Sequence, residues 1–403
     1  MKLDPIINSL LETDLYKFSM GQTIFHKFNR FRTRWDFKCR NQSVVFTKEM
    51  VKEIQEQIDC FCRLRFRENE LNWMRENIPW LSEDYISYLR RWYPMREQID
   101  VHVSSDPCGM SITAEGEWSD TSMYEVPILA IVSEVYYAFS QDTLDERFAR
   151  LLGDKIDALV CGKYSLGTFS EFGMRRRYSS KMQDLLVKEL RRRNAPGFIG
   201  TSNVFLAKKY GVKPCGTMAH EFIMCVGQGQ HEYNPAYSNR FMMDAWTREY
   251  GVENGIALTD TITTDNFLLD FDKKYATLFS GVRHDSGDPF EWGGRMVAHY
   301  GSLGIDPRTK TLLFSDSLDF ERATKIYQAF RDVAKVAFGI GTYLSCDLGP
   351  DIERLNIVMK VTECNGQPVA KLSDAAGKGM CRDANYVDYL HRCIRWRKDH
   401  KED

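Results

Sequence analysis

The rhythm of apolar and polar positions changes near residue 150. Before that point the chain reads as mixed. Ser9-Leu10-Leu11-Glu12 has capping-box spacing, and Leu11, Leu15 and Phe18 recur at helical intervals, which predicts a helix running to about Met20. Residues 31–40 alternate and read as a strand. Helical stretches follow at 48–60 and 82–92, then strands at 101–103 and 110–118. Pro127 stands where a helix opens, and residues 128–139 continue it. Beyond 150, short apolar runs end in small polar residues and Gly, at 198–202, 215–220, 256–260, 282–288, 312–317 and 336–342. Helical stretches separate most of these runs, which is the pattern of parallel strands alternating with helices. Six or seven such units in about 200 residues favour a β/α barrel over an open doubly wound sheet. Each unit puts its polar tip at a strand's carboxyl end, and a barrel gathers those tips on one rim. Past residue 351 a hairpin returns: 357–364, a turn at Asn365-Gly366, then 369–372. The expected fold class is therefore α/β, with an irregular β/α barrel-like domain over 141–350. A second, α+β domain is expected from residues 1–140 and 351–403.

Composition narrows the class. A chain of 403 residues exceeds the usual limit of about 250–300 for one core, so two or three domains are expected. With 43% apolar and 27% charged residues, disorder and coiled coil are excluded. Lys plus Arg is 54 and Asp plus Glu is 56, so no bulk charge calls for nucleic acid. Eleven cysteines, scattered singly apart from Cys60 and Cys62, include no zinc spacing. The first apolar stretch carries Asp4 and Glu12, unlike a signal peptide, and the run at 126–132 is too short to span a membrane. A reduced, cytoplasmic protein is expected.

The strand tips carry the candidate chemistry. Gly339-Ile340-Gly341-Thr342 ends the last unit, where glycine lets backbone N–H groups approach an anion. Ser315-Asp316-Ser317 ends the unit before and offers hydroxyls to the same anion. Arg283-His284-Asp285-Ser286-Gly287-Asp288 packs a cation and carboxylates onto one tip, suited to a ribose diol, Mg²⁺ or phosphate. His220 closes a run of small residues and can meet Asp260. A carboxylate on one ring nitrogen leaves the other free as base or nucleophile, although a lone His is as often structural. Glu171 to Arg177 opens a basic helix, whose eight basic residues from Arg175 to Arg193 face Asp184 and Glu189. Its far end reads as a solvated face and its first turn, beside Phe172, as a seat for an anionic ring.

Taken together, these segments resemble the nicotinate phosphoribosyltransferases. The resemblance rests on residues 11–17, 171–177, Gly200-Thr201-Ser202-Asn203, 216–221, Leu258-Thr259-Asp260, 283–289, 314–319, 338–342 and Glu363-Cys364-Asn365-Gly366. It implies a type II phosphoribosyltransferase that joins nicotinate to phosphoribosyl pyrophosphate with Mg²⁺ present and ATP hydrolysed alongside. It also implies that His220 is transiently phosphorylated, with Asp260 orienting it. Phe172 and Tyr16 would sandwich the pyridine ring, with Arg175 beside it. Arg283 and Asp285 would face ribose and pyrophosphate, and Gly341, Thr342, Ser315 and Ser317 would hold the 5′-phosphate, with Thr201 and Ser202 also lining the site. Tyr16 comes from the same or a neighbouring subunit, and a homodimer fits either case.

Ser202 decides between acid and amide in this reading. The related nicotinamide enzymes carry Asp there, and opposite a carboxylate that charge would cost about 1–4 kcal/mol at 4 Å. A neutral Ser favours nicotinate. Quinolinate phosphoribosyltransferase is disfavoured by the histidine block, and the type I fold by the absence of its paired acids and Thr-Gly loop. A silent phosphosugar-binding barrel would lack the histidine. A nucleic-acid binder would need basic stripes on several elements, and only one is visible.

Overall fold

The computed structural model describes residues 2–140, 144–375 and 377–400. The boundary expected between residues 140 and 141 touches the undescribed 141–143, so its position lies outside what is described.

Among the described residues twelve strands fall into two sheets. The first three are β1 (Arg32–Cys39), β2 (Ile99–Val103) and β3 (Met110–Glu117). Then come β4 (Thr168–Glu171), β5 (Phe198–Thr201), β6 (Lys213–Pro214), β7 (Ile256–Leu258), β8 (Gly281–His284), β9 (Thr311–Phe314) and β10 (Lys335–Ile340). Last are β11 (Ile357–Cys364) and β12 (Gln367–Pro368). β4 to β10 form one seven-stranded parallel sheet in the order β6-β5-β4-β10-β9-β8-β7. It curls as a half-barrel, and no pairing between β6 and β7 closes it among the described residues. The other five strands form an antiparallel sheet, β12-β11-β1-β3-β2, drawn from both ends of the chain. Its turn at Asn365 and Gly366 has φ of 52° and 77°, the backbone that an Asn-Gly hairpin requires.

The burial patterns follow from this division. β8 is buried at all four positions, as a parallel strand covered on both faces must be, whereas β3 alternates along its length. The helix Glu125–Ser140 carries apolar residues all round and is accordingly buried, packing against β11 and against the turn Met174–Arg176. One hydrophobic core runs through both sheets, and a small separate cluster seats the last helix, Ala384–Asp399. Among the described residues no helix is long and apolar enough to cross a membrane.

Several local expectations need correction. The first helix spans Leu15–Lys27, later and longer than the capping-box spacing implied. Ser9 instead donates to Glu70, while Glu12 receives the Asn8 N–H and the Arg177 guanidinium. Residues 11–15 are drawn out beside the end of β5, where Leu15 N–H bonds the Ser202 carbonyl and Val204 N–H the Thr13 carbonyl. That crossing segment stops β6 after two residues: a Cβ on Gly216 would lie 3.0 Å from the Tyr16 nitrogen. The run 215–220 is therefore not a strand, and His220 begins the helix His220–Gln228. Glu171 to Arg177 likewise opens no helix. Glu171 ends β4, Met174–Arg176 is a single tight turn, and the basic helix starts at Ser180, capped by Ser179. The helices Glu68–Asn77 and Asp145–Val160 were not anticipated, and the stretch after β12 continues without forming a regular strand.

Close strand approach makes Gly200 a sensitive position. A Cβ there would lie 1.9 Å from the Lys213 carbonyl oxygen, a backbone atom that cannot step aside without parting β5 from β6. Gly200→Ala should lower unfolding stability by about 1–3 kcal/mol or more, read as a reduced urea midpoint; an unchanged midpoint would contradict this packing.

Candidate active site

Parallel strands point their carboxyl ends the same way, so the residues just beyond them share a rim. Phe172 and Arg175 follow β4, Thr201 ends β5 with Ser202 next, His220 follows β6, and Asp260 follows β7. Arg283 lies in β8 with Asp285 just past its end at His284, Ser315 and Ser317 follow β9, and Gly341 and Thr342 follow β10. All thirteen sequence candidates, with Tyr16 carried in by the crossing segment, lie at this end of the half-barrel.

His220 sits at the head of its helix, 5% exposed, with Nε2 2.9 Å from Asp260 Oδ1 and 3.7 Å from Asp285 Oδ2. Nδ1 has no hydrogen-bond partner among the described residues. The other Asp260 oxygen receives the Ser286 hydroxyl at 2.6 Å and lies 3.1 Å from Lys371 Nζ. Burial, helped by the Lys371 ammonium, pushes the His220 imidazole down to about 4, against the pull of Asp260 and Asp285. Asp260, despite its burial, is held well below the ordinary carboxylate range by His220 and Lys371. At neutral pH the pair is thus a neutral imidazole donating from Nε2 to a carboxylate, with the Nδ1 lone pair free. The unfolded imidazole takes its proton near 6.5 and the folded one only near 4, so this group lowers stability as pH falls through that interval.

Arg283 spends its guanidinium on the protein. It donates to Ser315 Oγ (2.8 Å), Thr217 Oγ1 (3.0 Å), the Met218 carbonyl (3.1 Å) and Asp285 Oδ1 (2.9 Å). Ser315 Oγ also lies 2.7 Å from Asp285 Oδ1, so the two side chains are braced as a unit. Burial pushes the Asp285 carboxyl up, but Arg283 and His220 more than reverse this. Ser317 is exposed with φ of 51°, its hydroxyl on Asp316. The glycine at 339 serves a ring: a Cβ there would lie 2.3 Å from Phe172 Cδ2, so Phe172 lies flat against the β10 backbone. Gly341 and Thr342 are half-buried at the start of the short helix Thr342–Ser345.

On the opposite side of the rim, Arg175 is 34% exposed, with Nε 3.8 Å from Asp14 Oδ2 and Nη1 3.5 Å from Glu125 Oε1. Neither distance is a hydrogen bond, so its donors remain available. Ser202 Oγ donates to Asp14 Oδ1 at 2.6 Å, and the Tyr16 hydroxyl is buried beside the same carboxylate. Glu125 is shared by Lys17 (2.8 Å), Lys360 (3.5 Å) and Arg175. Thr201 stands behind the rim, wholly buried, with its hydroxyl on Glu171 at 2.5 Å, so it positions β4 against β5. At the far end of the basic helix Arg192 pairs with Glu189 on the same helix, and Arg193 pairs with Asp157 on the helix Asp145–Val160.

Among the described residues, His220, Asp260 and Asp285 are the one group whose ligand atoms cluster closely enough for a metal, all within 4.8 Å. The donor chemistry limits what it can hold. Both Asp260 oxygens and Asp285 Oδ1 already have partners, which leaves Asp285 Oδ2 as the free carboxylate oxygen. That suits Mg²⁺ brought in on phosphate oxygens better than a cage made of protein alone.

Sequence reasoning did not single out Lys371, Ser286, Asp14 or Glu125 as site residues. Asp14 lies inside the quoted 11–17 block, and Ser286 inside 283–289, so a signal existed for both. Lys371 comes from the chain's return after β12 and has no local signal at all.

Because Lys371 opposes the imidazolium, Lys371→Met should raise the His220 pKa from about 4 toward 6.5 by roughly a unit or more. A pH titration of the His220 ring proton by NMR reads this directly; an unchanged or lower value would contradict the described electrostatics.

Residues 168–396 match the model of the nicotinate phosphoribosyltransferase (NAPRTase) family, and residues 11–133 match that family's N-terminal domain. The chain is 41% identical over 388 residues to a nicotinate phosphoribosyltransferase of Xanthomonas campestris, covering 96% of this chain and 95% of that one. It is 42% identical over 390 residues to one from Cupriavidus necator, covering 96% and 98%. The fold is similar to the crystal structure of the nicotinate phosphoribosyltransferase from Porphyromonas gingivalis, with a TM-score of 0.89, 34% identity, and 96% and 100% of the two chains covered. A Vibrio cholerae structure of the same name also gives 0.89 at 34% identity, covering 98% and 96%. With both family regions matched in order and relatives aligned nearly end to end, this chain belongs to the nicotinate phosphoribosyltransferase family.

Proposed function

We propose that the protein transfers the phosphoribosyl group of phosphoribosyl pyrophosphate to the ring nitrogen of nicotinate, and that ATP drives the reaction through a phosphohistidine on His220. The products are nicotinate mononucleotide and pyrophosphate, with ADP and phosphate from the coupled hydrolysis, which is the entry of nicotinate into NAD salvage. The observation that carries the coupled part is the geometry of His220: Nε2 lies on a buried carboxylate and Nδ1 has no partner among the described residues, while burial favours the neutral ring.

Each step then falls to named groups. The Nδ1 lone pair attacks the γ-phosphorus of ATP, the bond to the β-bridging oxygen breaks, and ADP leaves. Asp260 stabilises the cationic ring that results, because its charge is already aimed at Nε2–H. Water later takes the phosphoryl group and releases phosphate. In the transfer, Phe172 and Tyr16 enclose the pyridine and Arg175 pairs its carboxylate. Gly341, Thr342 and Ser317 receive the 5′-phosphate, and Arg283 keeps Asp285 and Ser315 in place beside the ribose and pyrophosphate. As pyrophosphate departs, C1 takes on oxocarbenium character, so positioning and neutralisation of the leaving group supply the rate. Mg²⁺, which would be held at Asp285 Oδ2 and on substrate phosphates, adds charge neutralisation when bound. All eleven cysteines are free thiols, in keeping with a reducing cytoplasm.

The test is incubation with nicotinate, phosphoribosyl pyrophosphate, Mg²⁺ and γ-labelled ATP. Acid-labile phosphate should appear on the protein and disappear in His220→Ala, which should keep slower product formation uncoupled from ATP. Labelling should stay level from pH 8 to about 5.5 and fall toward 4 as the imidazole protonates. Undiminished labelling of His220→Ala would refute the assignment.

A further inference from the structure

Ser202 has one hydroxyl proton, and in this structure Asp14 takes it. Its Oγ lies 2.6 Å from Asp14 Oδ1, with both residues buried, at 2% and 3% exposure, so no solvent competes for that bond. While Asp14 is charged, Ser202 can show a ligand only lone pairs. That presentation suits an amide NH₂ and opposes a carboxylate. The neutrality of Ser202, which favours nicotinate when it is read alone, is therefore undone by the charge directly behind it.

The surroundings do not supply enough positive charge to absorb a further anion. From the turn Met174–Arg176, Arg175 approaches Asp14 Oδ2 at 3.8 Å and Glu125 Oε1 at 3.5 Å, one guanidinium already shared by two carboxylates. Glu125, at the head of its helix, and Glu171, at the end of β4, add negative charge facing Asp14, and Tyr16 lies beside it on its own helix. Lys17 is committed to Glu125 and Glu221, and Lys360 is nearest Glu125. Burial already pushes the Asp14 carboxyl above its ordinary range, with Arg175 opposing.

We infer that Asp14 takes up one proton when nicotinate binds, and that this proton turns the Ser202 hydroxyl toward the substrate carboxylate. The inference rests on the proposed seat of nicotinate against Ser202 and Arg175. The proton comes from solvent. It forms an O–H bond on Asp14 Oδ1, which then donates to Ser202 Oγ, and the Ser202 hydrogen is released to donate to the ligand. No covalent bond of the substrate changes. Asp14 thereby becomes a specificity residue: protonated, the pair selects a carboxylate; charged, it leans toward an amide.

The experiment is the pH dependence of steady-state kinetics at saturating phosphoribosyl pyrophosphate and ATP, between pH 6 and 8, where nicotinate itself does not titrate. For the wild type, kcat/KM for nicotinate should fall about tenfold per pH unit, carried by KM, while kcat stays level. Asp14→Asn, whose amide always donates, should lose this slope whatever its absolute rate. Lys360→Met should keep it, which excludes the other buried group poised to titrate here, an ammonium that burial lowers to about 8. A flat wild-type profile, or a slope that survives in Asp14→Asn, overturns the inference. If Ser202→Ala leaves kcat/KM for nicotinate unchanged, the seat itself is wrong, and that result is separable because it involves no pH dependence.

Discussion

A buried carboxylate needs a partner for each oxygen, and Asp260 meets that demand from three directions. His220 approaches one oxygen, and Ser286 and Lys371 approach the other. The three arrive from the head of a helix after β6, the tip of β8 and the return of the chain after β12. The half-barrel and the C-terminal segment are therefore joined at the one group that decides the protonation and tautomer of His220. Removing charge from Asp260 would leave an ammonium buried without its counter-ion and an imidazole free to rotate.

A second charged cluster organises the other side of the rim. Glu125 draws Lys17, Lys360 and Arg175 together, and so ties the first helix, β11 and the turn after β4 to the buried helix between the sheets. Arg175 is the member of this set that stays partly open. The two clusters differ in what they leave open: one holds an imidazole neutral, and the other keeps a guanidinium partly exposed. Between them the β10 backbone, bare at Gly339, lets Phe172 lie against it.

The parallel strands were legible because burial on both faces writes short apolar runs with polar tips, and those tips carry the rim candidates other than Tyr16, Phe172 and Arg175. The hairpin was legible because Asn365 and Gly366 need positive φ. What escaped was set by tertiary contact. Residues 11–15 have helical spacing but lie extended, since their N–H and C=O groups pair with residues 202–205. The same crossing cut β6 short and turned His220 from a strand end into a helix start. Arg283 looked like a free phosphate fork, yet Thr217, Met218, Ser315 and Asp285 consume its donors, and no spacing reveals that. Lys371 is distant in sequence from every residue it serves.

The central claim concerns one atom. With Nε2 committed to Asp260, Nδ1 is the nitrogen that would accept a phosphoryl group in the proposed reaction. ATP-treated protein labelled with ¹⁵N in its histidines, read by phosphorus–nitrogen coupling in NMR, should show phosphorus bonded to Nδ1. Phosphorus on Nε2 would mean that the Asp260 contact breaks before reaction, and would contradict the account.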